Sequence, residues 1–95
     1  LRSSENPFFL DTLGWLYYRT GDVTQARLLL QDAVKRRGDV PQLQYHLGAT
    51  LYQSGDIAGA RAALAKAVVP GADYPGIEDA RRMLAEIEKC PTKAP

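Results

Sequence analysis

Side chains able to do acid–base or nucleophilic work are few. The chain has one histidine, His46, and one cysteine, Cys90, in 95 residues. A nucleophile needs a base to activate it and a third group to orient that base. His46 has no serine, cysteine or acid pair at a spacing that local geometry would bring to it, so it reads as a structural or groove-lining side chain. Cys90 stands before Pro91 in CPTKAP, without an orienting base. A lone cysteine excludes an internal disulfide and a CxxC metal or redox site, and leaves an intermolecular bridge as its covalent option. The sequence contains no glycine-rich phosphate loop and no cluster of metal-ligand types. The expectation is a protein with no catalytic residue, no metal site and no cofactor.

Charge narrows the partner class. Twelve Lys and Arg against eleven Asp and Glu leave a formal net charge of +1, too little for a field that would favour nucleic acid or an anionic membrane. The one basic run, Lys35-Arg36-Arg37, precedes Gly38 at an expected helix end, where cations complement the dipole and reach the last carbonyls. No apolar run approaches the roughly 20 residues of a membrane span, and the opening residues do not resemble a signal peptide. Hydrophobic residues at 45% and charged residues at 24% indicate a folded chain. It opens on LRSSENP without an initiator Met, which reads as a piece of something longer or a processed product.

The elements that must position any binding surface are announced by a repeat. YYRTGDVTQA at residues 17–26 returns as LYQSGDIAGA at residues 51–60. A shift of 34 superposes Pro7 on Pro41, Leu13-Gly14 on Leu47-Gly48, Tyr18 on Tyr52, Gly21-Asp22 on Gly55-Asp56, Ala26 on Ala60, Leu30 on Leu64 and Ala33 on Ala67. The units run 7–40 and 41–74, a half unit follows at 75–89, residues 1–6 read as the tail of a preceding repeat or a linker, and 90–95 as an irregular end. Each full unit holds two helical patterns. Leu10, Leu13, Gly14 and Tyr17, then Leu43, Leu47, Gly48 and Leu51, mark A helices over 7–19 and 41–53. Ala26, Leu30, Ala33 and Val34, then Ile57, Ala60, Leu64, Ala67 and Val68, mark B helices over 23–37 and 57–69. Ile77, Ala80, Leu84 and Ile87 stripe a last helix over 76–89, a cover for the stack. Gly21 and Gly55 suit a left-handed helix end, Asp22 and Asp56 an N-cap, and Gln25 suggests a capping box. Pro7, Pro41 and Pro75 suit a first helical turn. Gly14 and Gly48 cost helix propensity twice, which implies close approach of the B helix, with Ala26 and Ala60 as the expected small partners.

These residues resemble the tetratricopeptide repeat family, whose 34-residue helical hairpins stack into a solenoid. In that frame Leu13-Gly14, Tyr17, Ala26, Leu30 and Ala33 occupy the signature places of one repeat, and Leu47-Gly48, Ala60, Leu64 and Ala67 those of the next. The family's early aromatic is Leu10 or Gln44 here, and its late proline is Gly38 or Ala72. The implied fold is all-α, an α-solenoid of two full hairpins plus a C-terminal capping helix. NPFFLDTLGWLYYRTGD, YHLG and YPGIEDARRML also resemble the carboxy-terminal end of bacterial multi-repeat proteins of this family associated with exopolysaccharide export and the envelope. That leaves the compartment open between cytoplasm and envelope. The pentatricopeptide RNA-binding family is a poorer match, lacking this Leu-Gly and Gly-Asp pairing.

The resemblance implies that A helices line a groove for a peptide or a partner helix. By position, Phe8, Asp11, Trp15, Tyr18 and Arg19 come from the first A helix. Gln42, Tyr45, Ala49, Tyr52 and Gln53 come from the second, and Asp79, Met83 and Glu86 from the half repeat. Trp, Tyr and Arg are the types that most often anchor interfaces. Tyr45 and Tyr52, two turns apart, read as a paired support for an extended peptide. Family members that bind acidic peptide tails do so with Lys, Asn and Arg, whereas the matching places hold Asp11, Trp15, Tyr45 and Ala49, so no such clamp is expected. The expected partner is a protein or peptide, with no nucleic acid and no membrane insertion. The alternative is a structural end cap or self-association segment, with a homodimer formed through an uncovered first repeat at Phe8 and Phe9.

Overall fold

The computed structural model describes residues 6–89. The expectations for the opening segment and for the CPTKAP end with Cys90 lie outside the described residues. Among those described, all regular structure is helical: α1 (Pro7–Thr20), α2 (Val23–Arg36), α3 (Pro41–Gln53), α4 (Ile57–Ala67) and α5 (Ile77–Lys89).

Helix ends follow from the residues at them. Asn6 caps α1 by accepting from the Phe8 N–H at 2.8 Å, with Pro7 in the first turn, where its missing N–H is harmless. The doubled Gly-Asp step does one job in each hairpin. Gly21 and Gly55 take φ of 95° and 93°, a left-handed turn that a side chain would strain. The Asp22 N–H then donates to the Tyr17 carbonyl and the Asp56 N–H to Leu51, each at 2.9 Å, closing a Schellman motif. Each aspartate also opens the next helix: Asp22 accepts from the Gln25 N–H and Asp56 from the Gly59 N–H. Two residues thus end one helix and begin the next.

Packing turns these helices into a stack. α1 lies on α2 and α3 on α4 as hairpins, and α2 packs on α3 and α4 on α5, which joins the hairpins. α1 touches α3 and α3 touches α5, so the three form one layer with α2 and α4 behind. The larger core cluster is built around Ala26, Leu30, Leu47, Leu51, Leu64, Ala80 and Ile87. A smaller one joins Leu10, Ala33 and Leu43. α3 contacts all four other helices, and residues 43–51 are buried without interruption.

One expectation about local chemistry is corrected by the packing. A Cβ on Gly14 would come within 2.7 Å of Leu30 Cγ, and one on Gly48 within 2.7 Å of Leu64 Cγ. The close approach is therefore to the large leucines of the B helix; Ala26 and Ala60, fully buried, are not what the glycines accommodate. Lys35 and Arg36 of the basic run lie in the last turn of α2, with Arg37 at its C-cap. Arg36 pairs with Asp32 at 3.0 Å, and Arg37 takes both oxygens of Asp39 at 2.8 and 2.9 Å, which with an Asp39 backbone hydrogen bond holds that exposed carboxyl down at about 2.

Two further contacts set the joints between units. Gln44, standing where its family has an aromatic, is buried and donates to the Gly38 carbonyl at 2.9 Å. Tyr74 donates its hydroxyl to the Ala67 carbonyl at 2.7 Å, tying the link before α5 to the end of α4. Burial, reinforced by Tyr45, pushes the Tyr74 phenol up to about 12.

Candidate functional site

On α1, positions 8, 11, 12, 15 and 19 recur at three- and four-residue spacing and so share a face. With Gln42, Leu43 and His46 of α3, and with Leu16, this face encloses a hollow of about 340 Å³. Phe8 is exposed at one end, with the Arg37 guanidinium 5.8 Å from its ring centroid, a cation–π distance. Arg19 is exposed at the other end. Among the described residues Arg36, Arg37, Arg81 and Arg82 each meet a carboxylate, and Arg19 meets none.

The floor of the hollow holds a buried polar pair. His46 Nδ1 lies 2.6 Å from Asp11 Oδ1, a charge-assisted distance, and both residues are buried. A carboxylate only accepts, so Nδ1 is the nitrogen that carries hydrogen. No side-chain nitrogen or oxygen is both buried and unpaired among the described residues. His46 also lines the hollow. Trp15 lies flat over this imidazole, centroids 3.9 Å apart at 20°, and Tyr18 stacks on Trp15 at 4.5 Å and 5°. Such pairs contribute about 0.5–1.5 kcal/mol each beyond their burial.

The centre of the layer departs from expectation. Tyr45 and Ala49, read as groove surface, are buried in the core, because α3 has neighbours on every side. Tyr45 is held among Trp15, His46 and Tyr74, at centroid distances of 5.5, 5.3 and 6.0 Å. Burial raises its phenol, and the nearby charge of Asp79 adds to that; burial raises Tyr18 as well. Asp11 is likewise buried and committed to His46. Gln42, Trp15, Tyr18, Tyr52, Asp79 and Met83 are half-buried, and Arg19, Gln53 and Glu86 are exposed. Asp79 meets Arg82 of its own helix. The hollow thus gathers Phe8, Asp11, Trp15, Arg19 and Gln42 of the expected set. Tyr52, Gln53, Asp79 and Met83 lie outside it.

Sequence reasoning left the Asp11–His46 bond unread, along with the lining by Thr12, Leu16 and Leu43. The missed signal was a separation of 35, one repeat plus one residue, which sets the two side chains on successive A helices. Chemically the hollow offers apolar walls, an imidazole, a guanidinium and a carboxamide. Thr12, its hydroxyl residue, donates to the Phe8 carbonyl at 3.0 Å. These are groups for binding.

The fold defines a class: stacked helical hairpins, with α1, α3 and α5 in one layer and α2 and α4 behind. The family model for the tetratricopeptide repeat matches residues 12–76, well over half of the chain, and the chain belongs to that family. Comparison with curated proteins and with solved structures returns no match. Membership makes the chain a protein–protein interaction scaffold of the repeat type, and repeats of this family are generally non-catalytic modules that bind protein partners. No helix among the described residues is long and apolar enough to cross a membrane.

Proposed function

We propose that the chain holds an extended peptide or a partner helix against the α1–α3–α5 layer, with the hollow between α1 and α3 as the principal contact. One observation carries this reading: Phe8, Trp15, Leu16 and Leu43 line a hollow together with the polar side chains of Arg19, Gln42 and His46. Pockets that bind specifically combine apolar lining with a few placed polar groups in this way. Tyr52, Gln53, Asp79 and Met83 extend the surface along the layer, towards the exposed Glu86 of α5. The acidic-tail clamp is absent on this reading, and peptides ending in several carboxylates bind no tighter than millimolar.

Selection of peptides from a displayed library, followed by calorimetric titration, tests the proposal. Phe8→Ala and Arg19→Glu, both exposed positions, are expected to weaken a selected peptide about tenfold or more, the effect of a central interface residue. Arg61→Glu, on α4 behind the layer, leaves affinity unchanged. Equal affinities across the three variants, or no selectable peptide, would count against the groove. A second reading follows from the exposure of Phe9 and Leu16: the α1 end is an association surface, for a further hairpin or for a second copy of the chain. Sedimentation across a concentration series tests the second copy.

A further inference from the structure

Charge divides unevenly between the two layers. In the back layer α2 carries Arg27, Lys35 and Arg36 and α4 carries Arg61 and Lys66, with Asp32 as the one carboxylate within either helix. Asp32 is spent on Arg36 at 3.0 Å. Asp22 and Asp56, just ahead of these helices, are taken up as their N-caps. In the front layer α1 balances Asp11 with Arg19, and α5 sets four carboxylates against three cations. Among the described residues no carboxylate meets Arg27, Lys35, Arg61 or Lys66. Lys35 and Lys66 stand in last turns, where a cation complements the helix dipole. Arg27 and Arg61 stand mid-helix, one repeat apart, and the dipole does not account for them.

The middle of this back face is apolar. Ala58, Ala62 and Ala65 are exposed on α4 at three- and four-residue spacing, with the exposed Arg61 on one edge of their stripe and the exposed Lys66 on the other. Leu28, the counterpart of Ala62 one repeat earlier, is 53% exposed. We propose that this face binds an acidic amphipathic helix of a partner protein. The partner's apolar stripe lies on the α4 alanines, and carboxylates along its edges meet Arg61 and Lys66; Arg27 and Leu28 offer the same chemistry on α2. Unpaired cations fix the sign of the partner, and the size of the apolar groups fixes its class. Faces that enter an anionic bilayer carry large apolar side chains, whereas α4 presents methyl groups that let a second helix approach closely. Nucleic acid calls for a denser array of cations and would leave the apolar middle unused. This surface lies behind the α1–α3–α5 layer, so its occupation leaves the groove open.

The test uses the whole 95-residue chain, isotope-labelled, and a lactam-bridged helical peptide with a leucine stripe and glutamates on both edges. Saturable amide shifts at Leu28, Ala58, Ala62 and Ala65 are expected, weakening as salt is raised because the ion pairs are exposed. Arg61→Glu combined with Lys66→Glu should weaken binding about tenfold or more, with the rest of the spectrum unmoved. Arg19→Glu, on the front layer, should leave it unchanged. Equal affinity of the double variant, or equal binding of a peptide with lysines in place of the glutamates, would overturn the proposal. Shifts centred on Trp15 and Arg19 would put the peptide in the front hollow and overturn it as well. Shifts at the back face with phosphatidylserine vesicles or duplex RNA, and none with the peptide, would give the face to a bilayer or a nucleic acid instead. Silence at millimolar peptide would make it a solvated face, which also overturns the proposal and leaves the groove reading untouched.

Discussion

Asp11 and His46 answer each other's hydrogen-bonding needs across the joint between two hairpins, and this one bond organises the candidate site. It holds the imidazole on which Trp15 lies. Asp11→Ala leaves a buried Nδ1–H without a partner, so a loss of about 1.5–3 kcal/mol in a urea titration is expected. A loss near zero would mean that the bond is not formed in solution. Tyr74 makes a pH prediction. Its phenol is raised in the folded state, so the stability it contributes is whole below the ordinary tyrosine value of about 10. That contribution is lost as pH rises through about 12. Tyr74→Phe should cost about 0.5–1.5 kcal/mol at neutral pH and flatten the alkaline fall in melting temperature. Tyr18 and Tyr45, raised in the same direction, leave some slope behind. The separation of 35 puts Asp11 and His46 on successive A helices, but whether they meet depends on the angle between those helices, which no local pattern encodes.

Helices were legible where their causes are local. Pro7, Pro41, Gly21-Asp22 and Gly55-Asp56 act through their own backbone and their near neighbours, so the expected ends of α1 and α3 fall within a residue of those observed. α3 shows where periodicity stops being informative. Its apolar stripe predicts one buried face, yet Tyr45, His46, Ala49 and Thr50 are buried too, since four helices surround it. For that reason Tyr45→Ala is a poor groove probe: it opens the core, at about 3–5 kcal/mol. The glycine contact belongs to this scale as well. Gly48→Ala gains helix propensity but drives Cβ towards Leu64, and a net loss of about 1–3 kcal/mol is expected. In a Leu64→Ala background the same change should be neutral or stabilising. An equal loss in both backgrounds would remove Leu64 as the reason for the glycine.

Across the whole molecule, stability should follow the stack. α3 is packed on every side, while α1 has an open face at Phe9 and Leu16 and α5 has its charged face in solvent. Amide exchange is expected to be slowest in residues 43–51 and to quicken towards both outer helices; uniform protection would show one all-or-none unit. The repeat and its family were legible because identity at a fixed spacing needs no geometry, whereas the binding surface had to be cut down from the expected set by burial. The most direct test of the central claim uses the chain's one tryptophan, Trp15, which lines the hollow. Titrating the chain with a selected peptide that lacks tryptophan should change Trp15 emission saturably, with the same Kd that calorimetry reports. A peptide that binds by calorimetry and leaves Trp15 emission unmoved would place the partner elsewhere on the molecule and contradict the account.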